Sequence, residues 1–316
     1  MNNFIPVVSV VGPTASGKTG LSVALAKHYG GEVISADSMQ IYTGMSVATA
    51  KPTKEEQQGV PHHLMDFLPP DQTYSVARFV EDARRCIKDI HSRGKLPFIV
   101  GGTGLYVDSL LNNIQFSEEN RDEAYSKALR RQYRENGVDP LLEQLYAVDR
   151  QAAVRLSEEK NPKRIIRALE FYHTTGTTIT EQIEQSKTVP SPYKAVKLGI
   201  NFTDREKLYE RINRRVDLML EQGLEEETRQ VLQSPLSHTS AMAIGYKELA
   251  PYIYGEATLS ECIEKLKRET RRYAKRQLTW FRRDQEIQWL YADKYDSFEE
   301  LYTAAVAIID KGLLYG

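Results

Sequence analysis

Gly12-Pro13-Thr14-Ala15-Ser16-Gly17-Lys18-Thr19 follows directly on the apolar run Val7-Val8-Ser9-Val10-Val11. Its GxxxxGK[ST] spacing is that of a loop that binds phosphate. Glycine at each end lets the backbone curl until successive N–H groups face one anion, and the helix that follows adds the positive end of its dipole. Lys18 is then placed to reach terminal phosphates. Thr19 offers its hydroxyl to Mg²⁺, a cation that takes oxygen ligands and shares them with phosphates. The motif leaves the phosphorylated compound itself unnamed.

The flanks supply the fold. Leu21, Ala24 and Leu25 recur at helical spacing until Gly30-Gly31, and Glu32-Val33-Ile34-Ser35-Ala36 reads as a second strand that ends at Asp37. A helix is expected from Val76 to about Ser92, and Leu96-Pro97-Phe98-Ile99-Val100 reads as a third strand running into Gly101-Gly102-Thr103-Gly104. Strands alternating with helices imply an α/β fold: a P-loop core on a parallel sheet with helices on both faces, its ligands at the carboxyl ends of the strands. The loop at 12–19, Asp37 and Thr103 all fall at such ends. Between residues 117 and 189 the pattern turns helical, with Asn161-Pro162 a cap and first turn and Gly176 a stop. Residues 1–116 and 190–316 are therefore expected to form the catalytic core, and 117–189 a helical insertion domain. A strand is then expected over 195–202 and a long helix over 204–232 with Gly223 as a break, the remainder being mostly helix.

Composition narrows the class. The 316 residues and their 41% hydrophobic share suffice for a core plus a smaller domain. The start, Met1-Asn2-Asn3-Phe4-Ile5-Pro6, has no cationic region ahead of a long apolar stretch, and no run approaches a membrane span, so a cytoplasmic chain without membrane contact is expected. Cys86 and Cys262 sit in amphipathic helical surroundings and read as buried, inert thiols rather than a disulfide or a zinc pair. The net charge of −1 hides a one-sided segment: Lys265, Lys267, Arg268, Arg271, Arg272, Lys275, Arg276, Arg282 and Arg283 stand against the single acid Glu269. Leu266, Thr270, Tyr273, Ala274, Gln277, Leu278 and Phe281 recur there at helical spacing, so one face packs while the basic groups fan out toward a polyanion.

Several residues carry chemistry. Asp37, in Ser35-Ala36-Asp37-Ser38-Met39-Gln40-Ile41-Tyr42, is a strand-end carboxylate placed to hold metal or take a proton from a nucleophile beside the phosphate loop. Ser38 and Gln40 add hydrogen-bonding groups suited to a purine or a peptide. The third strand ends in glycines and Thr103 where many phosphate-loop ATPases place a metal-holding acid. Thr103 can donate to a phosphate oxygen, or it can simply cap a turn. His62-His63 reads as a pair of satisfied loop histidines, because adjacent side chains diverge and no third ligand stands at useful spacing. Arg211 and Arg215, four apart, share a helix face that suits a pyrophosphate clamp beside Arg214, or they pair with Glu210 and Asp217.

Together these segments resemble the tRNA dimethylallyltransferase (tRNA isopentenyltransferase) family over nearly the whole chain. The matches run in order: GPTASGKT, ISADSMQIY, Val60-Pro61-His62-His63-Leu64, IVGGTGLY, NPKRIIRALE, AIGYKE and RRYAKRQLTWFRR. The resemblance implies that Gly12, Pro13, Thr14, Ala15, Ser16, Gly17, Lys18 and Thr19 hold the diphosphate of dimethylallyl diphosphate. The five-carbon group would move to the exocyclic amine of the adenine beside the anticodon of tRNA. It also implies Asp37 as general base, Thr103 near the reacting centre, Arg215 on the leaving diphosphate and Mg²⁺ held through Thr19. Regions matching tRNA contacts are Asp37, Ser38, Met39 and Gln40, then Thr103, then Asn161, Pro162, Lys163, Arg164 and Ile165, and finally Ala243, Ile244, Gly245, Tyr246, Lys247 and Glu248. Eukaryotic members add a zinc finger at the carboxyl end that this sequence lacks, so the bacterial type is expected. No protein partner is implied, and a monomer is expected.

The stretch at 117–189 is nearly neutral, so its RNA role rests on local clusters such as Lys160 to Arg164, with Arg167 a turn beyond. Tyr273, Trp280 and Phe281 can stack on an extruded base or pack into the core. Rival readings are a P-loop small-molecule kinase, an adenylate isopentenyltransferase acting on free nucleotides, and a nucleotide-hydrolysing switch.

Overall fold

The valines at 7–11 become the middle of a sheet. A computed structural model of the protein describes residues 4–116 and 122–315. In chain order it begins β1 (Ile5–Val11), α1 (Lys18–His28), β2 (Glu32–Ser35), α2 (Lys54–Gln57), β3 (His62–His63), α3 (Val76–Ser92), β4 (Pro97–Gly101) and α4 (Gly104–Leu111). Helices α5 (Glu123–Asn136), α6 (Asp139–Val148), α7 (Arg150–Glu159), α8 (Pro162–Thr175) and α9 (Ile179–Thr188) follow. The chain then returns as β5 (Tyr193–Asn201), α10 (Arg205–Glu221), α11 (Leu224–Leu232), α12 (Tyr246–Ile253), α13 (Leu259–Phe281), β6 (Gln288–Tyr291) and α14 (Phe298–Tyr315).

The sheet runs β3-β2-β4-β1-β5-β6, every neighbouring pair parallel. Val8 lies opposite Phe98 and Val196, and Val10 opposite Val100 and Leu198, so β1 is walled by apolar side chains on both flanks. Strand alternation sends Val8, Val10, Val33 and Phe98 to one face, where Leu21 and Leu25 of α1 and Leu301, Ala305 and Ile309 of α14 bury them. Ile34 and Ile99 are left for the opposite face, against which α3 and α4 pack. Near-continuous hydrophobic strands are what a parallel sheet covered by helices requires.

Two strands go beyond the sequence reading. His62 and His63 form β3, paired with Val33 and Ile34, and are not loop residues. Residues 288–291 form β6 in a remainder read as mostly helix. Both lie at the edges of the sheet. The long helix expected over 204–232 is two helices, split at Gly223, whose φ of 92° admits glycine readily.

The chain divides into two compact units, Met1–Leu111 with Pro192–Gly316, and Asn112–Ser191. The expected boundary at 116/117 abuts residues 117–121, which lie outside the described residues, as do Met1 to Asn3. The second unit is a helical bundle whose core holds Leu129, Leu141, Leu145, Leu156, Ile165 and Leu169. Helices α5, α7 and α8 are capped by Asp122, Asp149 and Asn161. Asp149 Oδ1 accepts the Ala152 N–H at 2.9 Å and also the Thr180 hydroxyl at 2.7 Å. Asn161 accepts the Lys163 N–H at 3.1 Å, and Gly176 ends the same helix in the left-handed region.

Candidate active site

The loop after β1 curls as its glycines allow. Gly12 has φ 145°, and a methyl group there would lie 2.3 Å from the Ile200 carbonyl oxygen of β5. Gly17, at φ 96°, hands the chain to α1. Lys18 Nζ donates to the Pro13 carbonyl at 2.7 Å, which folds the amine back over the loop. Thr14, Lys18 and Thr19 line a cavity of about 290 Å³. The Ser16 hydroxyl is buried in the same loop with no hydrogen-bond partner. A buried polar atom without a partner fits an absent ligand oxygen.

Asp37 enters the cavity from the end of β2, and its Oδ1 accepts the Met39 N–H at 2.9 Å. Ser38, Met39 and Gln40 line the cavity as well. The Ser35 hydroxyl donates to Gln40 Oε1 at 3.1 Å, which turns the Gln40 amide toward the carbonyls of Thr49 and Ala50. Thr103, by contrast, is absent from the cavity wall: its Oγ1 accepts the Ser38 N–H at 3.0 Å and donates to the Ser38 hydroxyl at 3.4 Å. Its hydroxyl is therefore engaged in tying the end of β4 to the Asp37 loop.

Helix α10 supplies both arginines. Arg215 Nη1 donates to Thr14 Oγ1 at 3.2 Å and its Nη2 to the Ala50 carbonyl at 3.4 Å, and the side chain lines the cavity. Arg211 Nε donates to the Ala15 carbonyl at 2.9 Å while its guanidinium lies over the Phe202 ring. Ile212, Val216 and Met219, on the same face, continue the wall as apolar surface. Helix α13 contributes Leu266, Thr270, Tyr273, Arg276 and Gln277. The buried Gln277 joins two loops: Oε1 accepts the Thr14 N–H at 2.8 Å and Nε2 donates to the Gly102 carbonyl at 3.0 Å. A methyl group on Gly102 would lie 2.0 Å from that amide nitrogen.

Electrostatics follow from burial. Desolvation and the neighbouring Arg215 pull Lys18 down to about 7, against the attraction of Asp37. Desolvation pushes Asp37 up, opposed by the amides of Met39 and Gln40 and by the Lys18 and Arg215 charges. Arg215 is also lowered by burial, but from a value so high that the guanidinium stays charged. Burial and the Asp37 charge raise Tyr273, which keeps its phenol a proton donor. Beside the phosphate loop the cavity therefore crowds two of its basic side chains, Lys18 and Arg215, together, and it holds one carboxylate that burial discourages from ionising. A bound dianion relieves the first, and a cationic reaction centre the second.

The other expected residues sort by exposure. Ala243, Ile244, Gly245 and Lys247 line the cavity with Met242, whereas Tyr246 and Glu248 turn into the protein. Glu248 accepts the Gly245 N–H at 2.8 Å, and Tyr246 donates to Glu227 at 2.8 Å. In the helical unit, Lys163 and Arg164 are exposed but Ile165 is a core residue, so it presents nothing to a partner. Pro162 opens α8 and Arg164 pairs with Glu159. Phe281 is buried, and Trp280 donates to Asp108 at 2.6 Å while packing on Gly104. Tyr273 alone of the three aromatics faces the cavity. His62 Nδ1 lies 2.8 Å from the Val60 carbonyl, and His63 Nε2 lies 2.7 Å from Glu32, so both are satisfied as expected. Cys262 is buried but Cys86 only half so, a correction to the expectation of two buried thiols.

Among the described residues no cluster of three or more His, Cys, Asp or Glu side chains is placed to hold a metal. The set that remains, Thr19 with an orphaned Ser16 hydroxyl beside a phosphate loop, suits Mg²⁺, which keeps waters and takes its other ligands from phosphate oxygens. Sequence reasoning assigned Gln277 only to the packing stripe and passed over Glu227 entirely. A glutamine on the apolar face of a helix is the signal that was there to find.

The chain is similar to known proteins along its length. A family model described as IPP transferase matches residues 40–284, and one described as isopentenyl transferase matches residues 5–67. A tRNA dimethylallyltransferase of a Thermoanaerobacter species is 46% identical over 300 residues, covering 94% of this chain and 95% of that protein. One from Halalkalibacterium halodurans is 48% identical over 284 residues, 90% of each. The crystal structure of a full-length tRNA isopentenylpyrophosphate transferase from Bacillus halodurans superposes with a TM-score of 0.72 at 42% identity, covering 98% of each chain. A eukaryotic dimethylallyltransferase, described as acting on tRNA, superposes with a TM-score of 0.83 at 30% identity over 98% of this chain and 79% of its own. With such identity sustained over nearly the whole length, and one family model spanning most of it, the chain belongs to the IPP transferase family.

Proposed function

We propose that this enzyme transfers a dimethylallyl group from dimethylallyl diphosphate to the exocyclic amine of the adenine 3′ of the anticodon in tRNA, releasing diphosphate. One observation carries the reading. A single cavity joins a phosphate loop with Lys18 and Arg215, an apolar wall of Val216, Met219, Ile244 and Leu266, and the carboxylate of Asp37. Those three surfaces match a diphosphate, a branched five-carbon chain and an amine that must lose a proton.

The chemistry follows from the residues. The adenine nitrogen attacks the first carbon of the dimethylallyl group while the bond from that carbon to the diphosphate oxygen breaks. Lys18, Arg215 and the loop amides meet charge that grows on the leaving oxygens, and so favour the transition state over the ground state. Asp37 accepts the proton that the amine releases, a role worth ~10²- to 10⁴-fold when the base is positioned. Thr103 holds the Asp37 loop through Ser38. Thr19 would hold Mg²⁺ beside the diphosphate, where the ion would supply further neutralisation of the leaving group.

Ser38, Met39, Gln40, Ala243, Ile244, Gly245 and Lys247 form the wall where the nucleotide enters. Lys163 and Arg164 of the insertion, together with the exposed Arg268, Arg272 and Lys275 of α13, offer cations to RNA phosphates. Incubating the protein with labelled dimethylallyl diphosphate, Mg²⁺ and unmodified tRNA moves label to the tRNA on this reading. Phosphate transfer from ATP to a small molecule would assign a kinase instead, and preference for free AMP over tRNA would assign a nucleotide prenyltransferase.

A further inference from the structure

Glu227 lies on α11, is itself absent from the cavity wall, and gathers four hydrogen bonds. Its Oε2 accepts the N–H groups of Ser46 and Val47, each at 2.8 Å. Its Oε1 accepts the Ala48 N–H at 3.0 Å and the Tyr246 hydroxyl at 2.8 Å. Among the described residues no lysine, arginine or histidine forms an ion pair with it, and its hydrogen-bond donors are three amides and a phenol. Hydrogen bonds to an ionised acceptor are the strong kind, and three consecutive backbone N–H groups on one carboxylate fix a turn.

What that turn carries matters more than the turn. Ala48 itself, with Thr49 and Ala50 after it, lines the cavity. The Ala50 carbonyl receives Arg215 Nη2, and those of Thr49 and Ala50 receive the Gln40 amide. Tyr246, the fourth donor, follows Ala243, Ile244 and Gly245 of the opposite stretch of wall. The two stretches touch at Gly245, where a methyl group would lie 2.8 Å from the Ala48 side chain. One carboxylate thus holds both.

We propose that Glu227 is a positioning residue for prenyl transfer: it locks residues 46–50 against residues 243–246 and so sets the wall that orients the acceptor nucleotide. This inference rests on the function proposed above. Glu227 makes no hydrogen bond to the phosphate loop, and its turn reaches the diphosphate side through the Ala50 carbonyl on Arg215, so its loss bears first on acceptor alignment and less on diphosphate affinity.

Glu227→Gln tests it, because the amide keeps the shape but leaves one pair of donors, Ser46 and Val47 or Ala48 and Tyr246, without an acceptor. The expected results are faster hydrogen exchange at amides 46–48, a loss of about tenfold or more in kcat/KM for tRNA, and a Kd for dimethylallyl diphosphate changed by less than about threefold. Tyr246→Phe removes one donor and serves if the first variant folds poorly. It lowers kcat/KM less, and the two changes combined fall short of additive because they share one interaction. Unchanged exchange at 46–48, unchanged kcat/KM, or a diphosphate Kd that worsens in step with kcat/KM each overturns the proposal. If the wild-type protein transfers nothing to tRNA, the functional reading fails, while the exchange result still decides whether Glu227 locks the turn.

Discussion

At the scale of residues, Lys18 and Asp37 are set by the same burial in opposite directions. Lys18 is lowered to about 7 because desolvation and Arg215 disfavour its charge. A bound diphosphate favours the charged amine, so binding takes up a proton wherever the free lysine has lost one. Affinity for dimethylallyl diphosphate is therefore expected to be level below pH 7 and to weaken by up to about tenfold per unit above it. Titration calorimetry in buffers of differing ionisation heat checks both the slope and the proton uptake. Asp37 works the other way: burial raises it, so the acid limb of the transfer rate lies above the ordinary carboxylate range, activity being lost as pH falls. The phosphate loop and Asp37 were legible because each sits in a local motif beside a strand. Gln277 and Glu227 were not, since their partners, Thr14 N–H and the amides of 46–48, lie far away in sequence and are backbone groups with no side-chain signature.

Helix α13 does two jobs with two faces. Inward, Gln277 occupies the Thr14 N–H and the Gly102 carbonyl, so Gln277→Leu leaves both unpaired. We expect a stability loss of about 1–3 kcal/mol. The disturbed loop should also bind diphosphate more weakly, and denaturant melts alongside binding curves measure both. Outward, Arg271 is spent on Asn213 at 2.6 Å, whereas Arg268, Arg272 and Lys275 stand exposed, Arg272 with only a surface pair to Glu269 at 2.7 Å. Replacing Arg268, Arg272 and Lys275 by glutamine should lower the salt dependence of tRNA binding by about one slope unit for each lost phosphate contact. An unaltered slope returns the face to ordinary solvated surface. Among the elements, those missed in the sequence have a shared cause. β3 has two residues and β6 buries only Leu290, and edge strands this short show no alternation to read.

For the whole molecule, the order of strands brings the ends of β1, β2, β4 and β5 together, and the cavity takes its phosphate loop, carboxylate and glycine turn from three of them. That convergence could be read from the positions of Gly12 to Thr19, Asp37 and Thr103, because a parallel sheet places every strand end after a hydrophobic run on one edge. The walls contributed by α10, α13 and residues 242–247 could not, since nothing local says which helix closes an open edge. The central claim is that this cavity moves a prenyl group with Asp37 as base. Single-turnover transfer of labelled dimethylallyl to unmodified tRNA, by the wild-type protein and by Asp37→Asn, tests it most directly. The account predicts label on the exocyclic amine of the adenine beside the anticodon, formed ~10²- to 10⁴-fold more slowly by the variant with diphosphate affinity little changed. Absence of label with the wild-type protein, or near-normal transfer by the variant, would contradict it.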